Sequence, residues 1–121
     1  MKIALPADNN INANVCVSFG RAPYFAVYDT ESKTIAYIVN SAATSSGGAG
    51  IAAAQLLVDA GASCVITPRC GENAAAVLKA AGVELYKTEG DDLMKNIELH
   101  QNNRLSLLSE IHSGLHNHGR R

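Results

Sequence analysis

The sequence predicts an α/β domain built on a mixed five-stranded sheet with helices on its faces. In the first half, two apolar segments rich in aromatic and β-branched residues flank a four-residue polar turn, which is typical of an antiparallel hairpin. In the second half, short apolar segments alternate with alanine-rich helical segments, which favours parallel strands joined by right-handed crossovers. The predicted order is β, β-hairpin, α, β, α, β, α, with the hairpin at one side of a parallel core.

The predicted strands of the first half come from short apolar runs. Residues 2–5 form a run that Pro6 ends, and an Asn-rich polar loop follows. Residues 24–29 and 34–40 are the hairpin strands, with residues 30–33 as the turn. Because ligands of open α/β sheets gather at the carboxyl ends of strands, the loop after the first strand is a candidate for one wall of a site.

The second half contains two glycine-bearing loops, each leading into a helix. Loop 45–50 has no large side chain, and Gly61 ends the helix that follows it. The remaining predicted elements are helix 51–60, strand 63–67, helix 74–81, strand 83–86 and helix 93–97. These elements predict one domain over residues 1–100, followed by a C-terminal helical extension, with helix 104–112, and a His-rich tail over residues 101–121.

Composition and charge argue against several classes of partner. The chain has 121 residues and a formal net charge of -1, so it has no basic surface of the kind that binds nucleic acid or a membrane. Its N-terminus does not resemble a signal peptide and no apolar run is long enough to span a membrane, so we expect a cytoplasmic protein. Its three cysteines form no C-x-x-C pair, which predicts reduced thiols.

The glycine loop before the first helix is a candidate anion site. A helix that begins after such a loop presents free backbone N–H groups and a partial positive charge. Gly48, Gly50 and Ala53 match the spacing of a dinucleotide fingerprint, but no acidic residue ends the next strand, at residues 66–67. A nucleotide- or phosphate-binding module, or a small enzyme that uses this turn, therefore stays open as an alternative.

Cys70 is the cysteine with the strongest chemical context. It follows Arg69 at a predicted helix N-terminus, where nearby positive charge is expected to lower a thiol pKa. Cys64 lies inside a predicted strand and is expected to be a small buried hydrophobic residue. Cys16 lies in the Asn-rich loop and could face the same cleft.

Other chemistry-bearing residues form no catalytic set. No Ser/His/Asp arrangement and no pair of acids beside a glycine loop is evident, and Asp8 lacks the further acids of a two-metal nuclease, so we expect no enzymatic activity. His112, His116 and His118 are spaced H-x3-H-x-H near the C-terminus and could hold a metal.

Four motifs in this order resemble the NifX/NifB C-terminal family, the dinitrogenase iron-molybdenum cofactor-binding domains. The likeness spans nearly all of residues 1–100. Its motifs are residues 1–4 with Pro6, residues 19–25 (FGRAPYF), residues 47–51 (GGAGI), and residues 71–74 (GENA) with 78–83 (LKAAGV). The resemblance implies a ribonuclease-H-like three-layer fold without nuclease activity.

The resemblance also implies carriage or sequestration of an anionic metal-sulfur cluster: the iron-molybdenum cofactor, its precursor or a related molybdenum-containing cluster. Cluster donor or acceptor proteins would be its partners. The residues expected to bind the cofactor are Arg21, Gly47, Gly48, Gly50, Arg69, Cys70 and Asn73. The candidate metal ligands are Cys70, Cys16, His112, His116 and His118.

One position departs from the family pattern. Many relatives carry a histidine immediately before the Phe-Gly-Arg motif, where this chain has Ser18, a poor ligand for a soft cluster. Cys16, Cys70 or the terminal histidines replace it, or the chain binds something else. A protein-interaction domain, with the hairpin edge pairing with a partner or a second copy, is a further alternative.

Overall fold

A computed structural model describes residues 1–108 of the chain and shows one mixed sheet with three α-helices. The strands are β1 Lys2–Ala7, β2 Tyr24–Asp29, β3 Thr34–Val39, β4 Cys64–Thr67 and β5 Glu84–Lys87. The helices are α1 Ala49–Asp59, α2 Glu72–Ala80 and α3 Leu93–Gln101, and a short 3-10 helix spans Ser41–Thr44.

The strands lie in the order β3-β2-β1-β4-β5. The hairpin strands β2 and β3 are antiparallel to each other, and β2 is antiparallel to β1. The strands β1, β4 and β5 are mutually parallel. The predicted mixed five-stranded sheet, with a parallel part and a hairpin at one side, is therefore confirmed, while the ribonuclease-H-like label stays a prediction.

The alternation of side chains along the strands divides the core between the two faces of the sheet. On one face, Ala4 and Val65 pack with residues of α1 and α2, many of which are alanines. On the other face, Ile3 and Ile66 pack with residues of α3. The small residues Gly50 and Ala74 let the first turns of the two helices come near each other, since a Cβ at Gly50 would lie 3.5 Å from the Ala74 Cβ.

The boundaries of α1 and α2 differ from the predicted ones in a way that affects the site. Both helices begin two residues earlier than predicted, at Ala49 and Glu72. Gly50 therefore lies in the first turn of α1 instead of in a loop. Between β3 and the glycine-bearing loop lies the 3-10 helix Ser41–Thr44, which the side chain of Asn40 caps.

The prediction of a helix over residues 104–112 is wrong for its described part. Asn103, at φ 58°, follows the end of α3, and the chain then runs extended beside β5, where Leu107 bridges Tyr86. Leu108 is buried in the core cluster shared with α1 and α2, which explains why this segment packs on the sheet. Residues 109–121, including His112, His116 and His118, lie outside the described residues.

The start of α3 gives a direct test of the local structure. The side chain of Asp92 caps the helix by accepting a hydrogen bond from the Lys95 amide at 3.0 Å. We expect Asp92→Ala to lower the free energy of unfolding by about 1 kcal/mol in urea denaturation. The neighbouring Asp91→Ala is the control, because the Asp91 side chain makes no hydrogen bond in the described part of the chain. Equal stability of the two variants would contradict the cap.

In residues 1–108, no helix is long and apolar enough to cross a membrane.

Candidate functional site

A cavity of about 510 Å³ lies beyond the carboxyl end of β4, between the first turns of α1 and α2. Its wall is built from three segments, residues 17–21, 48–51 and 69–74. Two of these segments are the glycine-bearing turns that lead into α1 and α2, and the third is the Phe-Gly-Arg loop before β2. The structure thus brings the separate sequence motifs to one place.

The first turn of α1, which lines the cavity, contains backbone donors without a hydrogen-bond partner in the described part of the chain. Gly48 precedes the helix at φ 67°, a left-handed conformation that favours glycine, and no side chain caps the helix. The first amide that bonds within the helix is that of Ala52, which donates to the Gly48 carbonyl. The preceding amides, those of Ala49, Gly50 and Ile51, have no hydrogen-bond partner among residues 1–108.

The first turn of α2 has the same property. Gly71 precedes the helix without a side-chain cap, and Ala75 is the first residue whose amide bonds back, to the Gly71 carbonyl. The amides of Glu72, Asn73 and Ala74 are left without partners in the described structure. Two uncapped helix N-termini therefore border one cavity, and their partial positive charges add.

Gly20 joins the Phe-Gly-Arg loop to α1 by backbone contact. A Cβ atom at Gly20 would lie 3.0 Å from the Gly50 amide nitrogen and 3.1 Å from its Cα. The loop is also held by Asn40, which is only 3% exposed and donates from Nδ2 to the carbonyls of Gly20, at 3.0 Å, and Ala22, at 2.8 Å. Asn40 belongs to none of the sequence motifs, and its position between a strand and a Ser/Ala segment is the sequence signal for its capping role.

Arg21 lines the cavity, but its guanidinium is bonded to the protein. Nη1 donates to the carbonyl oxygens of Ala43, at 2.9 Å, and Ser45, at 2.6 Å. The Arg21 amide donates to the hydroxyl of Ser18 at 3.0 Å. The hydroxyl of Ser18 therefore closes the turn of this loop.

Cys70 borders the cavity, but the prediction of a lowered thiol pKa is wrong. The side chain is 1% exposed and belongs to the core cluster beneath α1 and α2. Burial raises the pKa of Cys70 to about 11, with a smaller opposing effect from the charge of Lys79. Cys70 directly precedes Gly71, the residue before the first turn of α2, but its side chain is buried, so desolvation decides the shift.

The other two cysteines lie away from the cavity wall. Cys64 is fully buried, as predicted, and burial raises its pKa to about 12. Its Sγ lies 3.5 Å from Nε2 of His100, on the sheet face that packs against α3. Cys16 is half-buried and is not among the residues that line the cavity. In residues 1–108, no group of three or more His, Cys, Asp or Glu side chains is arranged to hold a metal ion.

Of the other predicted residues, Gly48, Gly50, Arg69 and Asn73 line the cavity, whereas Gly47 does not. The charged side chains of the wall are those of Arg21, Arg69 and Glu72, all exposed. Together with the helix N-termini they give a positive cavity whose donors are amides and guanidinium groups. Such a donor set fits an anion.

Similar proteins of known structure share this fold. The apo form of the orange protein from Desulfovibrio gigas is 31% identical, with a TM-score of 0.83, over 89% of this chain and 92% of that chain. A putative NifB protein from Thermotoga is 34% identical, with a TM-score of 0.77, over 91% of this chain and 95% of that chain. A putative dinitrogenase from Methanocaldococcus jannaschii, 22% identical over 91% of this chain and 96% of that chain, shares the fold with a TM-score of 0.67.

No curated protein matches the sequence. The family described as dinitrogenase iron-molybdenum cofactor matches residues 1–103. This match covers nearly all of the described residues and all three segments of the cavity wall. The chain therefore belongs to the dinitrogenase iron-molybdenum cofactor family, as the sequence motifs predicted.

Proposed function

We propose that the chain binds and carries an anionic metal-sulfur cluster in this cavity. The cluster would be the iron-molybdenum cofactor, its precursor or a related molybdenum-containing cluster, in line with the family to which the chain belongs. The observation that carries the proposal is the pair of uncapped helix N-termini, at Ala49 and Glu72, on one cavity that also contains Arg21 and Arg69.

The arrangement suits an anion whose charge is spread over several sulfur atoms. The two helix turns belong to separate segments of the cavity wall, so their amides can contact one guest at more than one point. Interaction of an anion with one helix N-terminus is worth about 0.3–1 kcal/mol when exposed and about 2 kcal/mol in partly buried geometry. A cavity of about 510 Å³ accommodates a compact inorganic cluster.

The side chains of the cavity support carriage without catalysis. Among residues 1–108, the wall has one carboxylate, that of the exposed Glu72, and no histidine. The thiol of Cys70 is buried with a raised pKa, so it is a poor nucleophile at neutral pH. A carrier of this kind would receive its cluster from a donor protein and pass it to an acceptor protein.

A nucleotide or phosphate ligand is the second candidate, because uncapped helix N-termini bind phosphate by the same interactions. Thermal unfolding separates the two. We expect tetrathiomolybdate, added without oxygen at a hundredfold excess over its dissociation constant, to raise the unfolding free energy by about 2.7 kcal/mol. ATP, NAD and inorganic phosphate at the same concentration should leave it unchanged. Stabilisation by a nucleotide and none by the thiometallate would contradict the cluster proposal.

Anaerobic titration with tetrathiomolybdate, followed by visible absorption, tests whether Cys70 is a ligand. If amides and guanidinium groups hold the anion, Cys70→Ala should bind tetrathiomolybdate within about threefold of the unsubstituted chain, a difference of about 0.7 kcal/mol. A direct bond from the Cys70 sulfur would appear as a loss of affinity beyond tenfold together with a changed visible spectrum. Cys16→Ala is the matched control, because Cys16 does not line the cavity.

A further inference from the structure

The two arginines of the cavity differ in what their side chains contact. Arg21 is bonded to backbone carbonyls, whereas Arg69 makes no side-chain hydrogen bond and no ion pair in residues 1–108. We infer that Arg69 is the residue whose charge binds the anion and that Arg21 is a positioning residue. This inference rests on the proposed function and divides its site into two roles.

The positioning role of Arg21 follows from the segment that it holds. One acceptor, the Ala43 carbonyl, lies at the end of the 3-10 helix. The other, the Ser45 carbonyl, lies in residues 45–48, which link the 3-10 helix to α1 and are called the link below. A single nitrogen, Nη1, donates to both carbonyls, so both of its N–H groups point at the protein. The side chain therefore fixes the link that leads to Gly48 and the free amides of α1.

The backbone next to Arg21 is also held in place. The side chain of Asn40 donates hydrogen bonds to the carbonyls of Gly20 and Ala22, the residues before and after Arg21, and Gly20 packs against the backbone of Gly50. The Phe-Gly-Arg loop, the link and the start of α1 thus form a closed set of contacts. Loss of the Arg21 clamp should loosen the link even when no ligand is present.

Arg69 has a fixed backbone and an unengaged side chain. Its carbonyl accepts a hydrogen bond at 2.9 Å from the hydroxyl of Thr67, which is fully buried at the end of β4. The side chain starts beside the free amides of α2 and lines the cavity. With all five guanidinium N–H groups unengaged by the described residues, it can form a charge-assisted, forked interaction with a guest.

The two roles predict opposite responses to substitutions that keep or remove the charge. At Arg69, charge should decide: Arg69→Gln should weaken tetrathiomolybdate binding by about tenfold, which corresponds to about 1.4 kcal/mol, and Arg69→Lys by less than about threefold. At Arg21, geometry should decide, because lysine keeps the charge but is one atom shorter than arginine and does not hold its donors in a fixed plane, so it cannot place them at both carbonyls. Arg21→Lys should behave like Arg21→Gln.

The experiment measures two properties of the same four variants. Amide hydrogen exchange of residues 43–51 is recorded without ligand, and tetrathiomolybdate affinity is measured by anaerobic titration. We expect exchange to increase by about threefold or more in both Arg21 variants and to be unchanged in both Arg69 variants. In Arg69→Gln, the affinity for tetrathiomolybdate should fall, while the amide exchange of residues 43–51 stays at the level of the unsubstituted chain.

Each result decides one part of the inference. Unchanged exchange in Arg21→Lys would overturn the positioning role, and unchanged affinity in Arg69→Gln would overturn the anion-binding role. If the unsubstituted chain binds no tetrathiomolybdate, the cluster proposal and the role of Arg69 both fail. The exchange measurement needs no ligand, so it decides the role of Arg21 in that case too.

Discussion

Asn40→Asp is expected to lower the free energy of unfolding by about 4 kcal/mol. Asn40 is 3% exposed, and its Nδ2 group donates to the carbonyls of Gly20 and Ala22. Aspartate has nearly the same shape but replaces both donor hydrogens with a negatively charged acceptor. The variant would place a buried charge against two carbonyl oxygens and leave both without a partner. Urea denaturation at neutral pH measures the loss.

The pH dependence of the Asn40→Asp variant identifies the cause. Burial beside carbonyl oxygens should raise the pKa of the introduced carboxyl group above its unfolded value, so the loss of stability is complete above the folded pKa. As the pH falls toward the unfolded value of about 3.9, protonation restores a donor and stability should partly recover relative to the unsubstituted chain. Asn10→Asp, at an exposed position, is the control and should show neither effect. An equally small loss in both variants would contradict the role given to Asn40.

The sheet was predictable from the sequence because its signals are local. The aromatic run of β2, the polar turn after Asp29, the apolar run of β4 and the alternating polar and apolar residues around β5 each match a strand period or a turn composition. The alternation of helical and apolar segments then restricts the connections to a parallel arrangement. These features depend on neighbours in the chain, so one sequence is enough to identify them.

The starts of α1 and α2 were less accessible to sequence reasoning. Gly50 and Glu72 are residues that also occur in loops, and packing of α1 against α2 decides that both lie in helical turns. The extended path of residues 104–108 has a similar cause. In this path Leu108 is buried in the core and its amide donates to the Leu85 carbonyl of β5, and these contacts stabilise the extended form over a helix. Tertiary burial overrides a helical pattern in such segments.

The site was predictable in its composition but not in its electrostatics. The glycine turns and arginines that line the cavity are visible as motifs, since backbone exposure and positive charge belong to particular residue types. The ionisation of Cys70 depends instead on how far its thiol is buried, which neighbouring residues in the sequence do not reveal. The roles of Asn40 and Arg21 likewise depend on carbonyl groups that fold against them from other segments.

Gly20→Ala is expected to lower the free energy of unfolding by about 3 kcal/mol and to weaken anion binding. The new Cβ would lie 3.0 Å from the Gly50 nitrogen and 3.1 Å from its Cα, and neither backbone atom can move without shifting the first turn of α1. The amides of that turn would then lose their position relative to Arg69. Urea denaturation and tetrathiomolybdate titration measure the two effects, and the loss of affinity should be about tenfold.

Gly47→Ala is the matched control for the Gly20 substitution. A Cβ at Gly47 would meet no atom of residues 1–108 within 4 Å, and the φ angle of Gly47 is outside the left-handed region. We expect its stability to stay within about 0.5 kcal/mol of the unsubstituted chain. If Gly20→Ala were equally well tolerated, the close approach of the two backbones would not be a constraint. The hydrogen bonds of Asn40 and Arg21 would then have to determine the geometry of the cavity. Comparison of Gly20→Ala with Gly47→Ala therefore tells whether backbone packing or these hydrogen bonds hold the cavity wall in place.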